Sequence, residues 1–373
     1  MTAMTSDKQD QFAHDLLAWY DANKRDLPWR QRQHDPYAVW VSEIMLQQTT
    51  VAAVIPFYNK WMARFPTVQS LADAPLDDVL KHWAGLGYYA RARNLHKGAQ
   101  AVVAEHGGRV PSDPKTLLAL PGIGRYTAGA ILSIAFNQDA PILDANVIRV
   151  LSRVHAVMGD PKTSASTQAE LWRLAEDAIP PGRAGDFNQA MMELGALICE
   201  AGAPRCGSCP VSAECRARAL GDPTAFPQFA TVKKWLDVED VSVAVRNAAG
   251  EALLVQRSPE LSLWGGLWEL PRATRQDGEA LEPCAARAAC ESVGLTMQGL
   301  TLFGQLKHVV ANRRITLHGY EAAMANGSAP QPLGCARLAW VTRESLAEYA
   351  LATPQVKLME LLWRHEAQGR LEF

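Results

Sequence analysis

Three groups of residues in this 373-residue chain have the types and spacing that could do chemistry. The first is a lone acid, Glu43, in Val39-Trp40-Val41-Ser42-Glu43-Ile44-Met45-Leu46, a helix-like run that is otherwise largely apolar. Such a carboxyl is either an exposed helix glutamate or a desolvated acid that stays protonated near neutrality and can give up its proton. The second is Asp144, alone among Pro141, Ile142, Leu143, Ala145 and Val147, and preceded by Leu120-Pro121-Gly122-Ile123-Gly124. In that turn Gly122 and Gly124 leave backbone N–H groups uncovered at a helix start, where a phosphate can sit, although a Gly-rich turn also serves simply to join two helices. The third is Cys199, Cys206, Cys209 and Cys215, separated by six, two and five residues. Four thiolates so placed bind a tetrahedral zinc ion or an iron–sulfur cluster, and spacing alone does not separate the two.

These groups need elements to hold them. Phe12, Leu16, Leu17 and Tyr20 recur at helical spacing, which predicts a first helix ending before the Arg25-Asp26-Leu27-Pro28-Trp29-Arg30 turn. Helix-like runs over 115–119 and 125–136 flank the glycine turn, and others cover about 147–157 and 167–178. Val79 to Ala104 contains no acid, while Lys81, Arg91, Arg93 and Lys97 surround Gly85-Leu86-Gly87-Tyr88-Tyr89. Basic side chains there can meet phosphates while a ring enters the base stack; the alternative is a solvated basic helix face with two core tyrosines. The breaker-rich stretch 223–237 reads as a linker. Beyond it Val241, Val243 and Val245 alternate, Ala248-Ala249-Gly250 turns and Ala252 to Val255 returns, which predicts a β-hairpin in a mixed α and β domain.

The length suits two domains, and 48% hydrophobic residues support a core in each. A net charge of −2 means that affinity for nucleic acid must come from local patches. Seven cysteines, four of them crowded together, fit a metal site in a reducing compartment better than a disulfide framework. No apolar run approaches a membrane span, and the start of the chain is not signal-like, so the expectation is an intracellular protein of the cytoplasm or nucleoid.

The stretch from Leu120 to Asn146 resembles the helix-hairpin-helix and aspartate of the DNA glycosylase superfamily that includes endonuclease III and the MutY adenine glycosylases. Val41 to Thr49 is similar to the segment that carries the MutY catalytic glutamate, and the cysteine pattern, after Phe187-Asn188-Gln189-Ala190-Met191-Met192-Glu193-Leu194-Gly195, is similar to that of their 4Fe-4S cluster. The resemblance implies a mainly α glycosylase domain over 1–222, the linker 223–237 and a C-terminal α+β Nudix-like domain over 238–373. It implies a monomer that flips adenine, mispaired with 8-oxoguanine or guanine, out of double-stranded DNA and removes it, with no membrane partner. Glu43 and Asp144 are then the catalytic acids, and Cys199, Cys206, Cys209 and Cys215 the cluster ligands.

The same likeness places Gln48 as a wedge in the duplex, Tyr88 as an inserted ring beside Arg91, Gly122 and Gly124 on the backbone, and Trp29 and Arg30 at the adenine pocket. In bifunctional relatives a lysine stands where this chain has Tyr126, and a phenol cannot form the imine of a strand-nicking lyase. Tyr126 is therefore expected to orient Asp144 or the flipped nucleotide, with Asn146 in support, in a monofunctional enzyme. In the C-terminal half Glu279, Arg287, Glu291 and Gly294 fit a Nudix box, but Ala288 and Ser292 replace metal-binding glutamates, so a recognition role is expected rather than hydrolysis. The Phe-Ser-His tip of MutY proteins becomes Val310, Ala311 and Asn312, which predicts reduced discrimination of 8-oxoguanine. The competing readings are a glycosylase for another mispaired or oxidised base, and a non-catalytic iron–sulfur DNA-binding protein.

Overall fold

A computed structural model describes residues 6–229, 234–261, 263–324 and 329–369. Part of the expected linker, residues 230–233, lies outside the described residues. Internal contacts divide the chain into two units: Met1–Ala72 with Lys97–Thr231, and Asp73–His96 with Val232–Phe373. Residues 73–96, expected within the helical domain, thus pack with the C-terminal half.

The first unit is helical: α1 (Ser6–Asn23), a 3-10 turn (Pro28–Arg32), α2 (Pro36–Leu46), α3 (Val51–Arg64) and α4 (Val68–Ala72). After α5 (Leu76–Trp83) of the second unit, α6 (Ala90–His106) leads back to α7 (Pro114–Ala119) and α8 (Arg125–Ala130). Then follow α9 (Ala145–His155), α10 (Ala165–Asp177), α11 (Ala184–Leu197) and α12 (Arg216–Ala219). One core is built from α1, α9, α10 and α11, with Leu16, Leu151, Leu171 and Phe187 at its centre.

The helix expected over 125–136 stays α-helical only to Ala130 and widens to a π turn over Ile131–Ala135. Ser133 Oγ bonds back to the Gly129 carbonyl at 2.7 Å and accepts from Asn188 Nδ2 at 2.9 Å, so α11 captures a hydroxyl where the helix would otherwise run straight. Periodicity does not carry that side-chain bond.

The second unit contains a mixed sheet: β1 (Leu236–Arg246), β2 (Ala252–Gln256), β3 (Trp268–Glu269), β4 (Arg272–Thr274), β5 (Met297–Val310), β6 (Arg313–Met324) and β7 (Arg337–Val341). The strand order is β3-β2-β1-β6-β5, with β4 also on β1 and β7 on β2. The expected hairpin is β1 and β2, antiparallel with Arg246 opposite Ala252. The helix α13 (Leu281–Val293) buries Cys284, Ala285 and Ala288 on one face, and α14 (Thr353–Gly369) buries Leu358, Met359 and Leu362 on the other. Residues 73–96 join this unit through polar contacts: Gln256 Nε2 donates to Asp77 Oδ1 at 2.8 Å, and Arg93 Nη1 donates to the Gly265 carbonyl at 2.7 Å.

Candidate active site

The site begins with why Glu43 is inside. Asp35 caps α2, accepting from Tyr37 N at 3.0 Å and Ala38 N at 3.2 Å, and Pro36 opens its first turn. Every residue from Tyr37 to Met45 is buried, so α2 has no solvent face for its one acid. Glu43 is 4% exposed. Burial pushes its carboxyl up to about 7, Tyr126 opposes this by donating a hydrogen bond to Oε2, and the charge of Asp144 adds to the rise. The solvent-facing reading of Glu43 is thereby excluded.

Asp144 is the N-cap of α9. Its Oδ1 accepts from Val147 N at 2.7 Å and its Oδ2 from Asn146 Nδ2 at 2.9 Å. The helix N-terminus and both bonds favour the carboxylate, yet burial outweighs them and raises its pKa above the ordinary value. The Tyr126 hydroxyl, expected to orient Asp144 or the flipped nucleotide, lies on Glu43 and near Met192 Sδ at 3.5 Å. Asn146 holds Asp144 instead, with its own Oδ1 accepting from Arg149 Nη2 at 2.9 Å. Two glycines permit this approach. A Cβ on Gly129 would stand 2.1 Å from the Pro141 carbonyl oxygen, and one on Gly195 would stand 2.6 Å from Asn146 Cβ.

Glu43, Tyr126, Asp144 and Asn146 line one cavity of about 690 Å³, together with Trp29, Arg30 and Gln48. That volume lies within the usual range for small-molecule sites. Trp29 is buried, edge-on to Tyr58 at 5.6 Å. Arg30 is committed to protein groups: Nη2 donates to Glu193 Oε2 at 3.0 Å, Nε to Gln189 Oε1 at 3.2 Å and Nη1 to the Arg25 carbonyl at 2.7 Å. Arg25 also clamps Glu193, with Nε to Oε1 at 2.7 Å and Nη2 to Oε2 at 2.8 Å. Burial would raise Glu193, but hydrogen bonds from Arg25 and Arg30 win and hold it at about 2. This network of Arg25, Gln189 and Glu193 was not singled out from the sequence. Its signal was the i, i+4 spacing of Gln189 and Glu193 on one helix face.

Gln48 is exposed at the cavity, in left-handed backbone with φ 58°. In the second unit Tyr88 is 51% exposed with φ 48° and follows Gly87 at φ 72°. Strained backbone of this kind collects at functional loops. Arg91, expected on phosphate, folds back onto its own loop: Nη2 donates to the Leu86 and Gly87 carbonyls at 3.4 and 3.3 Å, and the guanidinium lies over Trp83 and Tyr88. In the glycine turn Gly122 has φ 78°, and Gly124 is the N-cap of α8, where an added Cβ meets nothing within 4 Å.

Cys199, Cys206, Cys209 and Cys215 are free thiols lining one small apolar cavity with Val150, Leu194 and Val211. Burial pushes Cys209 up to about 11, with the neighbouring thiols adding to it. Arg153 Nη1 donates to Cys199 Sγ at 3.3 Å. Among the described residues no set of three or more His, Cys, Asp or Glu converges as a single metal ion requires.

In the second unit Glu279 and Glu291 are both occupied by Arg287, whose Nε donates to Glu279 Oε1 at 2.9 Å and Nη1 to Glu291 Oε2 at 3.3 Å. Ala288 is buried and Gly294 caps α13 at φ 70°. Val310 pairs with Arg313, leaving Ala311 (φ 54°) and Asn312 as the two-residue tip of the β5–β6 hairpin. Asn312 is partly committed, its Nδ2 donating to the Lys234 carbonyl at 3.4 Å. Among the described residues no helix is long and apolar enough to cross a membrane.

Known proteins are similar to this chain in sequence and in fold. The HhH-GPD superfamily of base excision DNA repair proteins matches residues 41–177, and the NUDIX domain family matches 241–361. The adenine DNA glycosylase of Rattus norvegicus is 38% identical over an alignment covering 95% of this chain and 78% of the rat protein. A thermostable thymine-DNA glycosylase structure covers 57% of the chain and 98% of its own, with TM-score 0.53 and 32% identity. A trapped endonuclease III–DNA covalent intermediate covers 59% of the chain and 99% of its own, with TM-score 0.50 and 24% identity, a likeness of fold.

Proposed function

The chain belongs to the adenine DNA glycosylases, base-excision hydrolases that remove adenine from DNA, and from that premise we propose that Glu43 and Asp144 divide the chemistry between them in a monomeric, monofunctional enzyme. The observation that carries this reading is the placement of both carboxyls in one cavity, with Glu43 pushed up to about 7. Expelling adenine requires a proton on the base and negative charge beside a sugar that becomes cationic. Glu43 gives its proton to the departing base, and the C1′–N9 bonding pair leaves with adenine. Asp144, held by Val147 N and Asn146, faces the sugar once it ionises. A water then closes C1′ and returns a proton to Glu43, so that DNA and water become abasic DNA and adenine. Tyr126 holds the Glu43 carboxyl in place and, as a phenol, forms no imine with the sugar.

The base must leave the stack to reach the cavity. Gln48, Tyr88, Gly122 and Gly124 are the candidates for the wedge and backbone contacts, supported by exposure or by left-handed backbone. Cys199, Cys206, Cys209 and Cys215 would hold a 4Fe-4S cluster, which when bound supplies a redox-capable structural centre. The fit rests on the four free thiols sharing one cavity and on Arg153 offsetting thiolate charge. The Nudix-like domain serves recognition, its box glutamates being tied up by Arg287. With Val310, Ala311 and Asn312 at its tip, the preference for 8-oxoguanine over guanine opposite adenine is smaller than in relatives with Phe-Ser-His.

The test is single-turnover excision on duplexes with adenine opposite 8-oxoguanine, adenine opposite guanine, and thymine opposite guanine. Adenine release leaving an abasic strand that breaks only after alkali is expected. Thymine release, or nicking without alkali, overturns the reading.

A further inference from the structure

The loop that carries Tyr88 joins α5 to α6, and its backbone is left-handed at Gly85 (φ 109°), Gly87 (φ 72°) and Tyr88 (φ 48°). Glycine takes that conformation freely, whereas a tyrosine keeps it only where the surroundings over-determine it. Both flanking helices rest on one turn of the C-terminal half, residues 263–266. On α5, Leu80 lies so close to Gly266 that an added Cβ would stand 2.9 Å from its Cδ1. Gln256 Nε2 ties the same helix to the same glycine, donating to Asp77 Oδ1 at 2.8 Å and to the Gly266 carbonyl at 3.0 Å. On the first turn of α6, Arg93 is 9% exposed, and its guanidinium donates to the Gly265 carbonyl at 2.7 Å and the Leu261 carbonyl at 3.2 Å. Between the helices, Tyr89 Oη accepts from Gly85 N and donates to the Leu351 carbonyl, each at 3.4 Å. Leu351 is itself bridged to Trp268 of β3.

Arg93 is thus a buried cation engaged by two carbonyls of the C-terminal half, not a phosphate contact, and its planar fork fits that pair as a lysine cannot. A loop already held in its working shape loses no further conformational freedom when its ring enters the base stack. We infer that Arg93 and Tyr89 are positioning residues: by fastening the loop to the Nudix-like half of the second unit, they keep Tyr88 exposed and left-handed, and so set how fast adenine leaves the stack. The inference rests on Tyr88 being the inserted ring and deepens that reading. It gives the C-terminal half a part in extrusion that needs no contact of its own with the lesion.

The experiment follows the fluorescence of a 2-aminopurine placed beside the target adenine, opposite 8-oxoguanine, after rapid mixing with full-length protein; unstacking raises the signal before the base is released. Arg93→Met is expected to slow the rise roughly tenfold, and Arg93→Lys, which keeps one donor, about threefold. Tyr89→Phe, which keeps the ring, slows it about threefold. In a Tyr88→Ala background each adds less than about twofold, because the loop they hold no longer carries a ring. The alkaline limb of excision stays in place, since burial, Tyr126 and Asp144 set the proton affinity of Glu43. If Arg93→Met does not fold, the Lys and Phe variants decide. Parental unstacking rates in both overturn the positioning, as does a slowing that persists in full without the Tyr88 ring. Tyr88→Ala at the parental rate overturns the inserted ring itself, whereas a parent that unstacks the base but releases no adenine overturns only the catalytic reading, so the failures are distinct.

Discussion

Two glutamates line the same cavity and are almost equally buried, Glu43 at 4% exposure and Glu193 at 2%, yet their carboxyls lie at opposite ends of the scale, about 7 and about 2. Desolvation acts on both in the same direction. Glu43 meets one phenol and a like charge, whereas Glu193 meets two guanidiniums. Burial therefore sets the size of the stakes, and the partner sets the sign. One acid is kept as a proton donor, and the other is a fixed charge that anchors Arg25 and Arg30 in the wall of the cavity.

If this division is right, removing the proton of Glu43 has the largest effect. Glu43→Gln and Asp144→Asn are each expected to lower single-turnover excision by about a hundredfold to ten-thousandfold. Duplex affinity should remain within about tenfold, since neither removes a phosphate contact. A variant of either kind that excises at the parental rate would falsify the assignment. Glu193→Gln comes next and acts on stability: it leaves two guanidiniums facing an uncharged amide, at a cost of about 3 kcal/mol in denaturant unfolding near pH 7. Because the folded pKa of Glu193 is depressed, its contribution is present above its ordinary value and is lost as pH falls toward about 2. The gap between parent and variant should close on acidification, and a gap independent of pH would mean that the variant fails through packing.

Glu43 runs the other way. Its raised pKa means that the folded state holds a proton the unfolded chain has released, so its penalty is absent below about pH 4.5 and grows as pH rises through about 7. Glu43→Gln should then be more stable than the parent by at most about 3 kcal/mol at pH 8, and no more stable at pH 4. Matched unfolding curves at the two pH values check this, and equal curves at both would show that Glu43 is not desolvated in solution.

The sequence displayed the acids better than it displayed their partners. Glu43 stood out because α2 has no polar face, and Asp144 because its surroundings are apolar, so local composition carried both. The helix-hairpin-helix, the thiol spacing and the β1–β2 hairpin were likewise local patterns. What stayed hidden depends on contacts between distant segments. Glu193 is bonded to Arg25 across 168 residues, and the π turn is fixed by Asn188 reaching Ser133 across 55. Arg91 looked like a phosphate contact because sequence shows a charge but not the carbonyls it turns back to. The association of residues 73–96 with the C-terminal half was hidden for the same reason, since Asp77 and Arg93 find their acceptors and donors there only in three dimensions.

The smallest expected effect is also the most discriminating test of the comparison, because it concerns the single partner that tempers Glu43. The phenol of Tyr126 remains protonated, its pKa raised by burial and by the charges of Glu43 and Asp144, so it donates to Glu43 and favours the ionised carboxyl. Tyr126→Phe removes that donor while keeping the ring. The Glu43 pKa should then rise by about one to two units, the free energy of one hydrogen bond to a charged group. Excision requires the protonated acid, so the alkaline limb of the rate profile should move to higher pH by the same amount, with the plateau below it little changed. At pH 8 the variant is expected to be faster than the parent. The alternative role, in which Tyr126 positions the flipped nucleotide, gives the opposite pattern: the plateau falls at every pH and the limb stays in place. A full pH profile of single-turnover excision for parent and variant separates the two, and a lowered plateau with an unmoved limb would mean that the proton affinity of Glu43 is set by burial alone.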